Sequence, residues 1–135
     1  MLTDTEYTLE IASRPENVSQ VEPLIEKVRD QFNIDDELYG NILVALTEAV
    51  NNAILHGNKS EPDKKVTIAV RNDTHHIYFI VSDEGTGFDY NNLPDPTAPE
   101  NLEKPTGRGV FLMTNLADMV IFSENGRVVE IQFRY

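Results

Sequence analysis

Three polar side chains, Glu48, Asn52 and His56, recur every four residues in the stretch E-A-V-N-N-A-I-L-H-G-N from Glu48 to Asn58. In a helix that turns roughly 100° per residue, this spacing stacks an acid, an amide and an imidazole along one side. The acid can accept a proton, and the amide oxygen can ligate a hard cation. Ala45 and Ala49 fall between and beside them, so this face is low enough to admit a ligand. Leu43, Leu46, Val50 and Ile54 gather on another side, which predicts the face packed on a core. Such a helix suits the floor of a nucleotide–metal site. Taken alone, it reads equally well as a surface helix with a solvated polar stripe.

Two glycine motifs further along bear on that choice. The first is V-S-D-E-G-T-G-F, from Val81 to Phe88, where an aspartate at a strand end precedes Gly85 and Gly87. Glycines there let the chain turn sharply and bring its backbone against a ligand. The carboxylate of Asp83, an acceptor only, suits an exocyclic amine such as that of adenine. A tight turn after a strand explains this motif equally well. The second is T-G-R-G-V-F-L-M, from Thr106 to Met113, where glycines lead into a helix. The N–H groups of the first turn and the helix dipole favour an anion, and phosphate is a reasonable guest. A flexible hinge before a plain helix start is the competing reading. The motif is neither a Walker A loop nor the dinucleotide-binding glycine pattern.

The elements that must position these residues follow from periodicity. Tyr7, Leu9 and Ile11 alternate with polar residues, predicting a half-buried strand. Ser13-Arg14-Pro15-Glu16 has the form of a capping box, with Ser13 as N-cap. Val18, Val21, Leu24, Ile25, Val28 and Phe32 follow at helical spacing, with Pro23 implying a later start or a kink. Asp35 is placed to cap the next helix, which runs to about His56, with Gly57-Asn58 as a left-handed stop. Val66 to Val70 and Ile77 to Val81 alternate on either side of Asn72-Asp73-Thr74, predicting an antiparallel hairpin. His75-His76 at its turn point to opposite faces of a strand, which argues against a metal pair. From Phe88 to Thr106 the pattern dissolves into Asn, Asp, Pro and Thr, too long for an idle connection. A helix around Val110, Met113, Leu116 and Ala117 follows, then strands at Met119–Phe122 and Val128–Phe133 joined by a turn. This order predicts one α+β domain over residues 1–135, a two-layer sandwich with a mixed, mostly antiparallel sheet and helices on one face.

Composition narrows the partners. Eleven Lys and Arg against 23 Asp and Glu give a net charge of -12 over 135 residues, which argues against a nucleic-acid surface. The chain has no cysteine, which excludes disulfides and thiolate metal sites and is compatible with a reducing cytoplasm. No apolar run of about 18 residues is evident, and the acidic start does not read as a signal peptide. The expected location is the cytoplasm.

Together, the three motifs resemble the ATP-binding domain of the GHKL superfamily, the Bergerat fold, and cover nearly the whole chain in the family's order. The wording is most similar to the bacterial anti-sigma-factor serine kinases of the RsbW and SpoIIAB type. L-T-E-A-V-N-N-A-I-L-H-G resembles their N-box, D-E-G-T-G-F their first glycine box and G-R-G-V-F-L-M their second. The resemblance implies that Asn52 ligates Mg²⁺, that Asp83 binds the adenine amine, and that Gly85 and Gly87 shape the pocket. It implies that Thr106, Gly107, Arg108, Gly109 and Val110 face the phosphates of ATP, under a lid at about 88–106. Glu48 is then the general base. His56 is expected to pack or cap. The lid departs from the pattern in being acidic and proline-rich, with Asp89, Asp95, Glu100 and Glu103. The implied function is an ATP-dependent serine/threonine protein kinase that binds a sigma factor. Its substrate is a serine of a small anti-anti-sigma (STAS-domain) partner. Relatives of this type commonly dimerise. A nucleotide-dependent binding module with little or no kinase activity is the alternative. The catalytic half of a histidine kinase is disfavoured, because the fold uses almost all of the chain.

Overall fold

The computed structural model describes residues 7–85 and 105–135, with the backbone alone for 105–108. Five strands form one sheet in the order β1-β2-β3-β5-β4: β1 (Tyr7–Ala12), β2 (Lys65–Asn72), β3 (His76–Ser82), β4 (Met119–Ser123) and β5 (Val128–Arg134). The sheet was expected to be mixed. Among the described strands every neighbouring pair is antiparallel. Both hairpins, β2-β3 and β4-β5, form where the alternation predicts them, and β5 inserts between β3 and β4.

Register turns the period of two into a single apolar face. Ile68 opposes Val81 and Phe79 opposes Ile131, so Val66, Ile68, Val70, Ile77, Phe79, Val81, Ile131 and Phe133 all lie on the buried side. Phe79 and Phe133 meet edge to face with centroids 6.0 Å apart, a geometry worth about 0.5–1.5 kcal/mol beyond area burial. The opposite face carries Thr67, Tyr78, Glu130 and Gln132, as alternation requires.

The helices cover the apolar side. Helix α1 (Val21–Phe32) buries Val21, Leu24, Ile25 and Val28, one stripe at helical spacing, and ends on Asn33 in the left-handed region (φ 54). Pro23 causes no kink, because it sits in the first turn, where its missing N–H has no partner to lose. The capping box at Ser13 does not form. A 3-10 turn over Pro15–Gln20 precedes α1, and Ser13 is fully buried, its Oγ donating to the carbonyl of Lys64 at 2.7 Å. A hydroxyl already held by the start of β2 is not available to cap a helix.

Helix α2 (Asp36–Asn52) is capped as expected, with the Asp35 carboxylate accepting from the Leu38 N–H at 2.8 Å. Its last residues widen into a π turn, Ala53–Gly57. The left-handed stop at Gly57-Asn58 is not found: Asn58 has φ -90, and Lys59 (φ 53) and Ser60 (φ 56) carry the reversal instead. By length and composition Asp36–Gly57 is apolar enough to cross a membrane. Here Ile42, Leu46, Val50 and Ile54 are fully buried against the sheet and the other helices, while Glu48 and Asn52 occupy the other side. Those buried positions show why a core helix mimics a membrane span.

Helix α3 (Pro105–Leu116) packs along α2. Met113 is buried in the shared core, and Val110 and Leu116 pack against it.

Candidate nucleotide site

At the end of β3 the chain leaves the sheet at Asp83, whose N–H donates to the Arg127 carbonyl at 2.9 Å. That bond continues the β3-β5 pairing one step past Ser82 and Val128, so the sheet itself aims Asp83. The carboxylate Oδ1 accepts the Gly85 N–H at 2.8 Å, which uses one of its lone pairs and leaves others for a donor from outside. Burial pushes the Asp83 carboxyl above its ordinary value, opposed by the Gly85 hydrogen bond and by the charges of Arg127 and Lys64. A half-buried acceptor at the wall of a cavity is well placed to pair with an amine.

Beside it lies a small, partly open cavity. Asn52, His56, Asp83, Met113, Phe122 and Arg127 line it, each from a different element or turn. Ala49 contributes to the low wall as the spacing suggests, whereas Ala45 is fully buried in the core.

Two glycines make the geometry possible. A Cβ on Gly57 would lie 2.3 Å from Asp83 Oδ2, so only glycine lets the end of the π turn press against that carboxylate. A Cβ on Gly109 would lie 2.9 Å from Asn52 Nδ2 and 3.1 Å from Glu48 Oε2. The first turns of α3 therefore rest directly on the two polar side chains of α2. Glu48 and Asn52 are each half-buried, one helical turn apart, as the spacing of four requires.

The structure thus brings together Glu48, Asn52, Asp83, Gly85 and Gly109. Gly85 is buried against the Gly57 carbonyl, closing the turn after Asp83. Thr106, Gly107 and Arg108 lie within the first turns of α3 rather than ahead of it, with Pro105 as the first helical residue. Val110 is drawn to the core side of that helix. Gly87 and the lid, apart from the start of α3, lie outside the described residues. His56 neither packs nor caps; it is exposed at the cavity. His75 and His76 serve the hairpin turn, where Asp73 Oδ1 accepts both of their N–H groups.

Residues that spacing did not single out are Gly57 as a wall of the acid pocket, Asn58, Phe122 and Arg127. Phe122 and Arg127 reach the cavity only because β5 inserts beside β3. Asn58 is a fully buried polar residue, and the local pattern marks it only as part of a helix stop.

Adenine fits this donor set, since Asp83 offers a fixed acceptor with glycine backbones beside it. For a metal, no group of three or more His, Asp or Glu converges among the described residues. The Asn52 amide oxygen suits a cation that takes most of its oxygens from phosphates and water, as Mg²⁺ does.

The histidine kinase-like ATPase domain family matches residues 11–133. A serine-protein kinase RsbW of Oceanobacillus iheyensis is 24% identical over 133 residues, covering 94% of this chain and 84% of that protein. An anti-sigma F factor of Bacillus velezensis is 33% identical over 119 residues, covering 85% of this chain and 80% of its own. Another anti-sigma F factor, from Geobacillus stearothermophilus, is 32% identical over 120 residues, with 86% and 81% covered.

Proposed function

The chain belongs to the histidine kinase-like ATPase domain family, and on that premise we propose that it is an ATP-dependent serine/threonine protein kinase acting as an anti-sigma factor in the cytoplasm. Its substrate is a serine on a small anti-anti-sigma protein of the STAS type, and its second partner is a sigma factor. The names of its relatives, serine-protein kinase and anti-sigma F factor, support this reading. The observation that carries the chemistry is the stacking of Glu48 and Asn52 beneath Gly109, with Asn52 and Asp83 lining one cavity.

Bound Mg²⁺-ATP supplies the phosphoryl group. Asp83 accepts the adenine amine and so fixes the base, and Asn52 offers its amide oxygen to the metal. The first-turn N–H groups of α3, at Thr106, Gly107 and Arg108, favour the phosphates through the helix dipole. Glu48, one turn before Asn52, takes the proton of the incoming serine hydroxyl. Its placement beside Asn52 rather than beside Asp83 separates the base from nucleotide recognition.

The test is incubation of the protein with labelled ATP, Mg²⁺ and partner proteins captured from the source cell. Label should appear on serine of a small partner. Glu48→Gln should lower transfer by about 10²–10⁴ while leaving nucleotide affinity within about a few-fold, since the amide keeps size but loses the proton acceptor. Transfer at the wild-type rate in Glu48→Gln would remove Glu48 from the role of base. If the wild type labels no protein, a nucleotide-dependent binding module replaces the kinase.

A further inference from the structure

We propose that Asn58 is a positioning residue that fixes the turn Asp83–Gly85 and thereby sets the preference for adenine over bases lacking its exocyclic amine. The inference rests on the adenine-pocket reading above. Asn58 is completely buried and its polar atoms are all engaged. Its Oδ1 accepts the Glu84 N–H at 2.8 Å, and its Nδ2 donates to Ser13 Oγ at 2.8 Å and to the Lys65 carbonyl at 3.0 Å. Its own N–H donates to the Ala53 carbonyl at 2.8 Å, and its carbonyl accepts from the Glu61 N–H at 3.1 Å. One side chain thus joins the end of β1, the start of β2 and the turn after β3 to the end of the π turn.

The consequence for Asp83 follows from which N–H groups are held. On its N-terminal side, Asp83's own N–H is bound to the Arg127 carbonyl. On its C-terminal side, the next N–H, that of Glu84, is bound to Asn58. The peptide groups on both sides of the Asp83 Cα are therefore anchored to different elements, and the direction of its carboxylate is set between them. The Glu84 carboxylate also accepts the Lys65 N–H, which ties the same turn to β2. Gly57, immediately before Asn58, presses on the Asp83 carboxylate, and a Cβ on Gly85 would fall 1.8 Å from the Gly57 carbonyl oxygen. Gly57 and Asn58 together grip three consecutive residues, one of which reads the base. A pocket that reads a base by one hydrogen bond discriminates only as well as its acceptor is aimed.

The experiment compares binding of ADP and of inosine diphosphate, which lacks the exocyclic amine, each with Mg²⁺. One hydrogen bond to a charged acceptor is worth about 10–10² in affinity, so the wild type should prefer ADP by that factor. Asn58→Ala should lower the ADP:IDP ratio by about tenfold, mainly through weaker ADP binding, because the Glu84 N–H loses its acceptor. Asn58→Asp keeps that acceptor while losing both donors, and should hold the ratio within about threefold of wild type. A merely structural role would weaken both nucleotides together and leave the ratio unchanged. A folded Asn58→Ala with the wild-type ratio, or an Asn58→Asp that loses the ratio, overturns the proposal. Should Asn58→Ala fail to fold, Asn58→Asp and the Glu84 amide of the wild type decide. That amide should be protected from hydrogen exchange before nucleotide is added, and exchange at the rate of a free amide overturns the proposal. A wild type that binds ADP and IDP equally defeats the adenine-pocket reading itself, which is a distinct result from a preference that survives in Asn58→Ala.

Discussion

Asp83 meets opposite demands in the free and the nucleotide-bound protein. Without a ligand, burial raises its carboxyl above the ordinary value of 3.8, so ionisation at neutral pH opposes folding. For a group with a raised folded value, the stabilising contribution is complete below about 3.8, the unfolded value, and is lost as pH rises through the folded one. Asp83→Asn keeps an oxygen for the Gly85 N–H and removes the half-buried charge. The nucleotide-free variant should therefore be at least as stable as wild type at pH 7, with the difference closing as pH falls toward 4. Added Mg²⁺-ADP should stabilise wild type, by about 2.7 kcal/mol at a hundredfold excess over Kd, and the variant hardly at all. Thermal melts with and without nucleotide across this pH range check both halves. Equal stabilisation of the two proteins would remove Asp83 from the pocket.

At the scale of elements, α2 and the π turn that follows it do two jobs with two faces. The stripe Ile42, Leu46, Val50 and Ile54 anchors the helix in the core, and that anchoring fixes the height of Glu48 and Asn52 against α3. The π turn then ends on Gly57 against Asp83. Gly57→Ala places a methyl group 2.3 Å from Asp83 Oδ2, so turn or carboxylate must shift. The expected cost is about 1–3 kcal/mol of stability together with loss of nucleotide-dependent stabilisation. Gly40, in the same helix but with nothing within 4 Å of an added Cβ, is the control. Gly40→Ala should gain about 0.5–1 kcal/mol by helix propensity and leave nucleotide binding intact. Urea unfolding of both variants, with and without ADP, measures the contrast. A Gly57→Ala variant that responds to ADP as wild type does would show that the close approach is not needed.

Over the whole molecule, the net charge is -12. Lys64–Glu61 at 3.4 Å and Arg127–Glu124 at 3.9 Å are exposed and contribute little. Self-repulsion of the acidic surface should therefore dominate the salt response. Raising NaCl from about 0.01 M to about 0.15 M shortens the screening length from roughly 30 to 8 Å, and the urea midpoint at pH 7 should rise. A fall over that range would mean that local pairs outweigh the global repulsion.

Period and punctuation in the sequence determined the strands, the three main helices, the Asp35 cap and the antiparallel hairpins, because these depend on neighbours two to four residues apart. The same local spacing put Glu48 and Asn52 on one face, and the strand-end position of Asp83 was readable from the alternation before it. What lay beyond local pattern was decided by pairing at a distance. Ser13 and Pro15 spell a capping box, yet the carbonyl of Lys64, brought alongside by β1-β2 pairing, takes the hydroxyl. Gly57 reads as a helix stop, yet its lack of a side chain matters because Asp83 arrives next to it. Arg127 and Phe122 join the cavity through the insertion of β5 between β3 and β4, an order of strands that no single segment encodes. Asn58 reads locally only as part of a helix stop, and its role in the turn was not legible, since its partners Ser13 and Glu84 are 45 and 26 residues away. The sequence determined which residue types face which way along each element; only the packed sheet and helices decided which of them meet.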